Sequence, residues 1–386
     1  MATKTEFRPK SVLFVTSGLR MGGAEIYLLR LLERLDRKHF SPTVLSMLDE
    51  GQIGPKIRDL GIELKTLQMQ RPLSFVRHLV TLPGWLRPLK PDIVHGWMYH
   101  GNLLAAIIAF FWRTRLFFSI HGAVHNDQGE KPLTSAIVRI NARLSGNAEG
   151  IVYCSPESAR EHEDIGFKSR GRLVIPSGYD CEIFKPEPAD RQSIRRELGI
   201  SPSEFVIGMF GRYHPVKDFP SLIKAFSRIH QRFPELRLIL AGDGVEPDNP
   251  ELKGWLADAG ILDVTSVLGI RSDMPRIYRA LDVLAMTSIC EVGPMVVGEA
   301  MACGVPCLAT NVGIARQMIG DSGRIVEVGN TDQIENAMLE FLRMTPEEKD
   351  LLGLKAREII KCHWDIAKMA QCFARAYEVA SMAKRD

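Results

Sequence analysis

The sequence predicts an α/β protein with two doubly wound, Rossmann-like domains. The chain has 386 residues, more than twice the usual size of one domain. Short apolar runs rich in β-branched residues alternate with amphipathic helical patterns, as expected for buried parallel strands joined by crossover helices. The runs form two series, and a turn-rich stretch from Ile175 to Asp180 separates them. We therefore expect an N-terminal domain over 1–177, a C-terminal domain over 178–364 and a final helical segment over 365–386.

The predicted strands share a continuous apolar character over four to six residues. In the first series they are Val12–Thr16, Thr43–Met47, Asp92–His95, Leu116–Ile120, Ile151–Cys154 and Leu173–Pro176. In the second series they are Phe205–Phe210, Leu236–Ala241, Thr265–Leu268, Asp282–Thr287, Val305–Thr310 and Arg324–Glu327.

Between these strands the helices show one apolar face and recognisable ends. Apolar residues recur at helical spacing over Phe219–Phe233, Asp218 stands at the capping position and Pro220 lies in the first turn. This helix requires the preceding loop, Gly211 to Lys217, to lie at the carboxyl end of a strand, where open α/β sheets bind ligands. The pattern over Asp365–Ala383 predicts a long terminal helix, which is able to pack back on the N-terminal domain.

Composition excludes several classes of protein. Apolar residues make up 45% of the chain and charged residues 25%, which is ordinary for a soluble globular protein. The start of the chain lacks the pattern of an export signal, so we expect a cytoplasmic protein. Seven cysteines without a Cys-x-x-Cys pair favour reduced thiols over a disulfide framework or a zinc site.

Charge is distributed unevenly, with an excess of Lys and Arg in the first 175 residues and an excess of Asp and Glu in the rest. Between Leu64 and Asn126 the sequence has one acid, Asp92, and its basic residues are interleaved with aromatic ones. This pattern has three possible interpretations. The region contacts the anionic inner surface of a membrane peripherally, it binds nucleic acid, or it forms buried helices with solvated ends. The uncharged run Leu103–Trp112 is too short to span a bilayer.

The segment from Thr287 to Pro306 contains two carboxylates separated by seven residues. Glu291 lies in a predicted strand-to-helix loop, and Glu299 lies in the early turns of the following helix. A helix N-terminus suits a phosphate, whereas carboxylates suit sugar hydroxyls as hydrogen-bond acceptors. This combination predicts a pocket for a nucleotide sugar.

Two cations flank the turn from Gly211 to Lys217. Arg212 offers a planar fork of donors and Lys217 a point charge, and together they are able to neutralise a diphosphate. The alternative is a pair of solvated surface cations. No Asp-x-Asp pair occurs in the sequence, so we expect catalysis without a metal ion and without a cofactor.

Two further sequence features belong to the first series. The paired Gly22 and Gly23 follow the first strand and allow close approach of a ligand to the backbone, but the loop is not Gly-x-Gly-x-x-Gly, which disfavours a nicotinamide enzyme. His121 and His125 lie just past Leu116–Ile120, where a histidine is able to hydrogen-bond a substrate or serve a structural role.

With these motifs in order, the chain resembles the retaining glycosyltransferases of family four, whose GT-B architecture has two Rossmann-like domains facing each other across a cleft. The resemblance covers nearly the whole length. Its motifs are Gly-Gly-Ala-Glu at 22–25, Pro-Asp-Ile-Val-His at 91–95, Ser-Ile-His-Gly at 119–122, Pro-Ser-Gly-Tyr-Asp at 176–180, Gly-Arg through Lys at 211–217, Ala-Gly-Asp-Gly at 241–244 and the Glu-x7-Glu segment.

The resemblance implies a role for each candidate residue. Four residues would act in catalysis: His121 beside the transferred sugar, Arg212 and Lys217 on the donor diphosphate, and Glu291 on the sugar hydroxyls. Donor-binding residues would include those last three, Glu299 on the ribose, the backbone of Gly293, Pro294 and Met295, and the closing loop at Gly22 and Gly23. The family pattern usually has glycine directly after the first glutamate, whereas this chain has Glu291-Val292-Gly293-Pro294.

The implied reaction transfers a sugar from a nucleotide-diphosphate sugar, with UDP or GDP as nucleotide, to a lipid-linked or growing envelope polysaccharide. In the family, the departing diphosphate oxygen is thought to help deprotonate the incoming hydroxyl. Rival readings are a sugar-nucleotide 2-epimerase, a soluble glucan- or sucrose-synthase-like transferase, a non-catalytic nucleotide-sugar-binding protein and, least favoured, a nucleic-acid binder.

Overall fold

The computed structural model describes residues 8–70, 72–124 and 132–382, and for 72–79 it describes the backbone alone. The chain divides into two compact units. Unit 1 contains Met1–Gly178 and Ile366–Asp386, and unit 2 contains Tyr179–Asp365. His125, which the sequence placed after the strand Leu116–Ile120, lies outside the described residues.

Each unit is built on one parallel sheet. The strands in chain order are β1 Lys10–Thr16, β2 Phe40–Ser46, β3 Glu63–Thr66, β4 Ile93–Trp97, β5 Arg115–Ile120, β6 Gly150–Tyr153, β7 Arg172–Val174, β8 Phe205–Phe210, β9 Leu236–Ala241, β10 Thr265–Val267, β11 Val283–Met286, β12 Cys307–Thr310 and β13 Arg324–Val326. Unit 1 has the order β3-β2-β1-β4-β5-β6-β7, and unit 2 has the order β10-β9-β8-β11-β12-β13.

The helices cover both faces of these sheets, as expected for right-handed crossovers between parallel strands. In chain order they are α1 Gly23–Arg34, α2 Gly54–Asp59, α3 Pro72–Leu89, α4 Met98–Trp112, α5 Pro132–Leu144, α6 Pro156–Asp164, α7 Pro188–Glu197, α8 Phe219–His230, α9 Pro250–Asp258, α10 Met274–Ala280, α11 Met295–Ala302, α12 Ala315–Ile319, α13 Thr331–Arg343, α14 Pro346–His363 and α15 Ile366–Met382. Short 3-10 turns occur at Ser145–Asn147, Pro215–Lys217 and Leu262–Val264.

The two sheets confirm the predicted fold class of two doubly wound α/β units. In each sheet the strand order reverses once, between β1 and β4 in unit 1 and between β8 and β11 in unit 2. Crossovers run away from each other at these points, which opens a crevice at the carboxyl ends of the strands. The loops after β1, β8 and β11 therefore lie where doubly wound proteins bind ligands.

Most predicted elements differ from the observed ones only at their ends. β8 and β9 begin and end as predicted, and the others shift by one to three residues. The edge strand β3 was missed because Glu63 and Lys65 interrupt its apolar character. α8 is capped as expected, with the Asp218 side chain accepting from the Ser221 N–H at 3.3 Å, but it ends at His230.

The terminal helix α15 packs on unit 1. Its residues Ile366, Met369, Phe373 and Tyr377 lie in the same hydrophobic core as β1 and α1. The Tyr377 hydroxyl also lies 2.6 Å from Nδ1 of the buried His95, whose Nε2 lies 2.7 Å from the Ser119 hydroxyl. Within the described residues, no helix is both long and apolar enough to cross a membrane.

Candidate functional site

The sequence-predicted cation Lys217 and carboxylate Glu291 meet in unit 2. The Lys217 ammonium forms an ion pair with Oε1 of Glu291, and the Ser288 hydroxyl donates to the same oxygen at 2.9 Å. Both side chains of the pair are mostly buried, with 21% of Lys217 and 17% of Glu291 exposed. Because β8 and β11 are neighbours at the reversal of strand order, the loops that follow them bring these two charges together.

Backbone contacts hold the two loops in place. The Ile289 N–H donates to the Val216 carbonyl at 2.7 Å. The Thr287 hydroxyl donates to the Asp218 carbonyl at 2.9 Å, and the Thr310 hydroxyl donates to the Ser288 carbonyl at 2.6 Å. Thr287 and Thr310 are buried, so their hydroxyls need such partners. The loop carrying Glu291 is therefore fixed against the loop carrying Lys217 before any ligand arrives.

Glycines let the loop after β8 lie flat against the next strand. A Cβ at Gly242, where φ is +146°, would lie 2.0 Å from the Gly211 carbonyl oxygen. Gly211 itself has φ of +155°, and the Lys217 side chain passes beside it. Side chains at either position would push this loop away from β9. The Gly211 to Lys217 turn therefore depends on two residues without a Cβ.

Arg212 is exposed in the same turn, and the contacts among the described residues give its guanidinium no partner. Its neighbour Tyr213 is fixed, because the Tyr213 N–H donates to the Asp243 carbonyl at 2.7 Å and its hydroxyl donates to Glu251 at 2.8 Å. The turn thus combines one paired cation, Lys217, with one cation directed to solvent. Such a pair is suited to a doubly charged anion.

The second carboxylate, Glu299, lies on α11 and has a different partner. The Tyr278 hydroxyl donates to its Oε2 at 2.8 Å. α11 begins at Met295 with Pro294 at the capping position, and the Val297 N–H donates to the Pro294 carbonyl at 3.1 Å. The N–H groups of Met295 and Val296 precede the first bonds within the helix. Gly293 precedes this end, with open space where a Cβ would lie. The early part of α11 therefore offers backbone donors and a held carboxylate on one short segment.

In unit 1, His121 is enclosed by aromatic rings. Its ring centroid lies 4.4 Å from that of Tyr27 and 4.6 Å from that of Trp97. Tyr27 donates to the Ile175 carbonyl and Trp97 to the Ala24 carbonyl, so their polar atoms are engaged elsewhere. Burial of the ring lowers the pKa of His121 from 6.5 to about 3. The imidazole is therefore neutral at physiological pH.

Both ring nitrogens of His121 are shielded from solvent and lack a hydrogen-bond partner among the residues the structure describes. A buried polar atom without a partner costs about 1–3 kcal/mol, which an incoming ligand group would recover. These two ring nitrogens fit a ligand-contacting role for His121 better than a purely structural role.

Gly22 and Gly23 form the start of α1, directly after the loop from β1. Gly22 is the extended capping residue and its carbonyl accepts from the Ile26 N–H at 3.0 Å, while Gly23 is the first helical residue. A Cβ at Gly22 would lie 2.5 Å from a carboxylate oxygen of Glu25. The two glycines thus keep the backbone at this helix N-terminus open to close approach, with the Glu25 carboxylate beside it.

Sequence reasoning missed the residues that orient the charged groups. Ser288 on Glu291, Tyr278 on Glu299 and Trp97 on His121 are all supporting contacts. Tyr278 lies 21 residues from Glu299, and the sequence gives no sign that the two meet. Ser288 lies only three residues from Glu291, but this spacing does not show that the hydroxyl turns toward the carboxylate. Within the described part of the chain, no three His, Cys, Asp or Glu residues are grouped to hold a metal ion.

Two family models match successive parts of the chain. The model described as Glycosyltransferase Family 4 matches residues 21–183, and that described as Glycosyl transferases group 1 matches residues 190–358. A D-inositol 3-phosphate glycosyltransferase from Mycobacterium marinum is 28% identical over 65% of this chain and 56% of its own length. The corresponding protein from Stackebrandtia nassauensis is 32% identical over 67% of this chain and 62% of its own length. The chain thus spans less than two thirds of both relatives.

The fold also matches solved structures. HepE from Anabaena, whose crystal structure holds UDP and glucose, superposes with a TM-score of 0.83 over 96% of this chain and all of that one, at 23% sequence identity. At this identity the match concerns the fold, which is GT-B. Together with the two family models, it supports a glycosyltransferase of the family-four type for this chain.

Proposed function

We propose that the protein is a retaining glycosyltransferase that moves a sugar from a nucleotide-diphosphate sugar to a lipid-linked or growing envelope polysaccharide on the cytoplasmic side of a membrane. The observation that carries this proposal is the Lys217–Glu291 pair at the reversal of strand order in unit 2, with the exposed Arg212 in the same turn. This arrangement supports a role for the two cations on a diphosphate and for the carboxylate on sugar hydroxyl groups.

The chemical step breaks the bond between the anomeric carbon of the sugar and the diphosphate oxygen. A bond from the acceptor oxygen to that carbon forms on the same face, and the acceptor proton passes to the departing diphosphate oxygen. Negative charge develops on the diphosphate, where Lys217 and Arg212 would stabilise it. No protein nucleophile is needed, and the two cations supply charge that a metal ion would otherwise provide, so we propose a metal-independent reaction without a cofactor.

We assign the carboxylates of Glu291 and Glu299 to binding of the donor. The described contacts of Glu291 fall on Oε1, which leaves Oε2 as an acceptor for a sugar hydroxyl. Glu299, held by Tyr278, would accept from the ribose hydroxyls. The backbone of Gly293, Pro294 and Met295, with the helix end that follows, would approach the sugar and phosphates. A UDP- or GDP-sugar is proposed as donor, and the UDP and glucose bound by HepE favour UDP.

Unit 1 contributes His121, Gly22 and Gly23 to the proposal. His121 would hydrogen-bond the transferred sugar as a neutral imidazole, since burial holds its pKa near 3. The Gly22–Gly23 loop would close over donor and acceptor. A lipid-linked or glycan acceptor is favoured by the basic and aromatic character of this unit, and the inositol phosphate in the names of the relatives suggests a small anionic acceptor as the alternative.

The first experiment screens thermal stabilisation by UDP-, GDP- and ADP-sugars, because ligand binding to the native state raises Tm. The stabilising donor is then incubated with lipid-linked glycans, with inositol phosphate and without acceptor, with and without EDTA. We expect acceptor-dependent product with retained anomeric configuration, unaffected by EDTA.

Each rival function gives a different product pattern. Conversion of the donor without acceptor indicates a 2-epimerase. Transfer to fructose or a glucan indicates a soluble synthase-like transferase. Donor binding with neither transfer nor slow hydrolysis indicates a non-catalytic nucleotide-sugar-binding protein. An inverted product, or activity lost with EDTA and restored by a divalent cation, would overturn the mechanism.

A further inference from the structure

The outer face of α4 is an exposed apolar stripe. The helix Met98–Trp112 contains no Asp, Glu, Lys or Arg. On the face that does not pack on the sheet, Ile107 is 46% exposed, Phe110 79% and Phe111 71%. The two phenylalanine rings touch edge to face, with centroids 5.5 Å apart. Two adjacent aromatic side chains this exposed are costly in water unless another surface covers them.

The neighbouring helix α5 carries further exposed apolar residues and adds charge. α5 packs against α4, and on its outer side Leu133 is 68% exposed and Ile140 40%. Arg139 and Arg143 are exposed on the same helix, and no carboxylate among the described residues pairs with either. The outer side of α5 therefore combines exposed apolar residues with arginines, next to the helix that carries Phe110 and Phe111. We call Ile107, Phe110, Phe111, Leu133, Ile140, Arg139 and Arg143 the α4–α5 surface.

The sequence around this surface contains few negative charges. Between Asp92 and Glu149 the acids are Asp127 and Glu130, both outside the described residues, and Glu149 pairs with Arg115 at 3.1 Å. Arg113 follows α4 directly, in a left-handed conformation. A protein partner of mixed charge would gain little from so one-sided a surface. An anionic surface with an apolar interior matches both of its properties.

We propose that the α4–α5 surface binds the headgroup region of an anionic lipid bilayer, with Phe110 and Phe111 inserted among the acyl chains and Arg139 and Arg143 on the lipid phosphates. Aromatic side chains are favoured at this depth because their rings leave water while the nearby arginines stay at the phosphate level. The inference does not depend on the proposed reaction, since its readout is lipid partitioning.

The test is flotation of the full chain with vesicles of phosphatidylcholine alone and of equal parts phosphatidylcholine and phosphatidylglycerol. We expect partitioning into the anionic vesicles that weakens as salt rises. The double variant Phe110→Ser/Phe111→Ser should reduce it at least about tenfold. Arg139→Gln/Arg143→Gln should reduce it about fivefold for each charge removed.

A matched control removes equally exposed apolar residues elsewhere. Leu351 and Leu354 are 69% and 61% exposed on α14, a helix of mixed charge in unit 2, so Leu351→Ser/Leu354→Ser should float as the wild type does. Circular dichroism verifies that all variants fold. Absence of flotation by the folded wild type, or wild-type flotation of the phenylalanine variant, would overturn the proposal. A dimer in light scattering that the phenylalanine variant dissociates, without vesicle binding, would assign the surface to a second copy.

Discussion

Lys217 and Glu291, which lie 74 residues apart in the chain, form an ion pair where the neighbouring strands β8 and β11 end. The pair does two things at once. It holds the ammonium in the turn that also carries Arg212, and it holds the carboxylate in the loop that leads to the start of α11. Because both side chains are mostly buried, loss of either partner leaves a charge that water only partly solvates.

Replacing Lys217 by Ala should lower kcat about 10²- to 10³-fold, on the order of the loss of one donor to a developing oxyanion. The reason is that the departing diphosphate would lose its point charge. Steady-state kinetics with the donor found by thermal screening measures the effect. Lys224→Ala, an exposed lysine on α8, is the matched control and should retain wild-type kinetics. Full activity of the Lys217 variant would remove the diphosphate assignment.

Ser288→Ala should reduce kcat/KM by about two- to thirteenfold, the range that a net hydrogen-bond contribution of about 0.5–1.5 kcal/mol gives. The variant removes the donor that orients Glu291 but keeps the Lys217 pair. Ser322→Ala is a suitable comparison, because this buried hydroxyl donates to the Ile319 carbonyl away from the proposed site. Equal kinetics for the two serine variants would show that Ser288 does not orient the carboxylate.

Tyr278→Phe should weaken donor binding by about three- to tenfold while leaving kcat nearly unchanged, because Glu299 is assigned to the ribose and not to the reacting atoms. Isothermal titration with the donor measures the dissociation constant. Tyr153→Phe serves as the control, since the buried Tyr153 hydroxyl has no hydrogen-bond partner among the described residues. Unchanged affinity in both Tyr278→Phe and Glu299→Ala would contradict the ribose role.

Gly242→Ala should lower the free energy of unfolding by about 2 kcal/mol or more, because the added Cβ meets the Gly211 carbonyl and φ is +146°. It should also reduce activity, since the Gly211 to Lys217 turn must move. Gly254→Ala on α9 tests the same substitution in open space and should stabilise the protein by about 0.5–1 kcal/mol. Chemical denaturation measures both, and equal stability of the two variants would refute the close approach.

Stability should fall as pH falls below about 6.5, in part because of His95. Desolvation, first, and the nearby His121, second, lower the pKa of His95 to about 3. Between these pH values the unfolded chain binds a proton that the folded chain excludes, so the free energy of unfolding falls with falling pH, by at most about 1.4 kcal/mol per unit from one such group. His121 acts in the same direction, as do the lowered pKa values of His100 and His162.

The variant His95→Gln separates these contributions. It loses the contacts with Tyr377 and Ser119, so it should be less stable at pH 8, yet its stability should depend less steeply on pH between 6.5 and 4. Denaturant titrations at several pH values give the slope. A slope equal to that of the wild type would mean that His95 is protonated in the folded protein.

The sequence by itself determined the fold class of two doubly wound units and all of the described strands except β3. Apolar runs and helix caps are local signals, which is why β8, β9 and the start of α8 were predicted correctly, whereas the edge strand β3, partly polar, was not. The packing of α15 on unit 1 needed the structure, because the apolar face of a helix does not show which sheet it covers.

The candidate site likewise depends partly on local sequence and partly on contacts between distant segments. Lys217 and Glu291 were singled out from their places after predicted strands, and the reversal of strand order in unit 2 then paired them. The supporting roles of Ser288, Tyr278 and Gly242 appeared only with the fold. So did the neutral state of His121, because its pKa is set by the rings of Tyr27 and Trp97, which lie far from it in sequence. Local sequence patterns identified the candidate residues, whereas packing between distant segments determines their charge, partners and orientation.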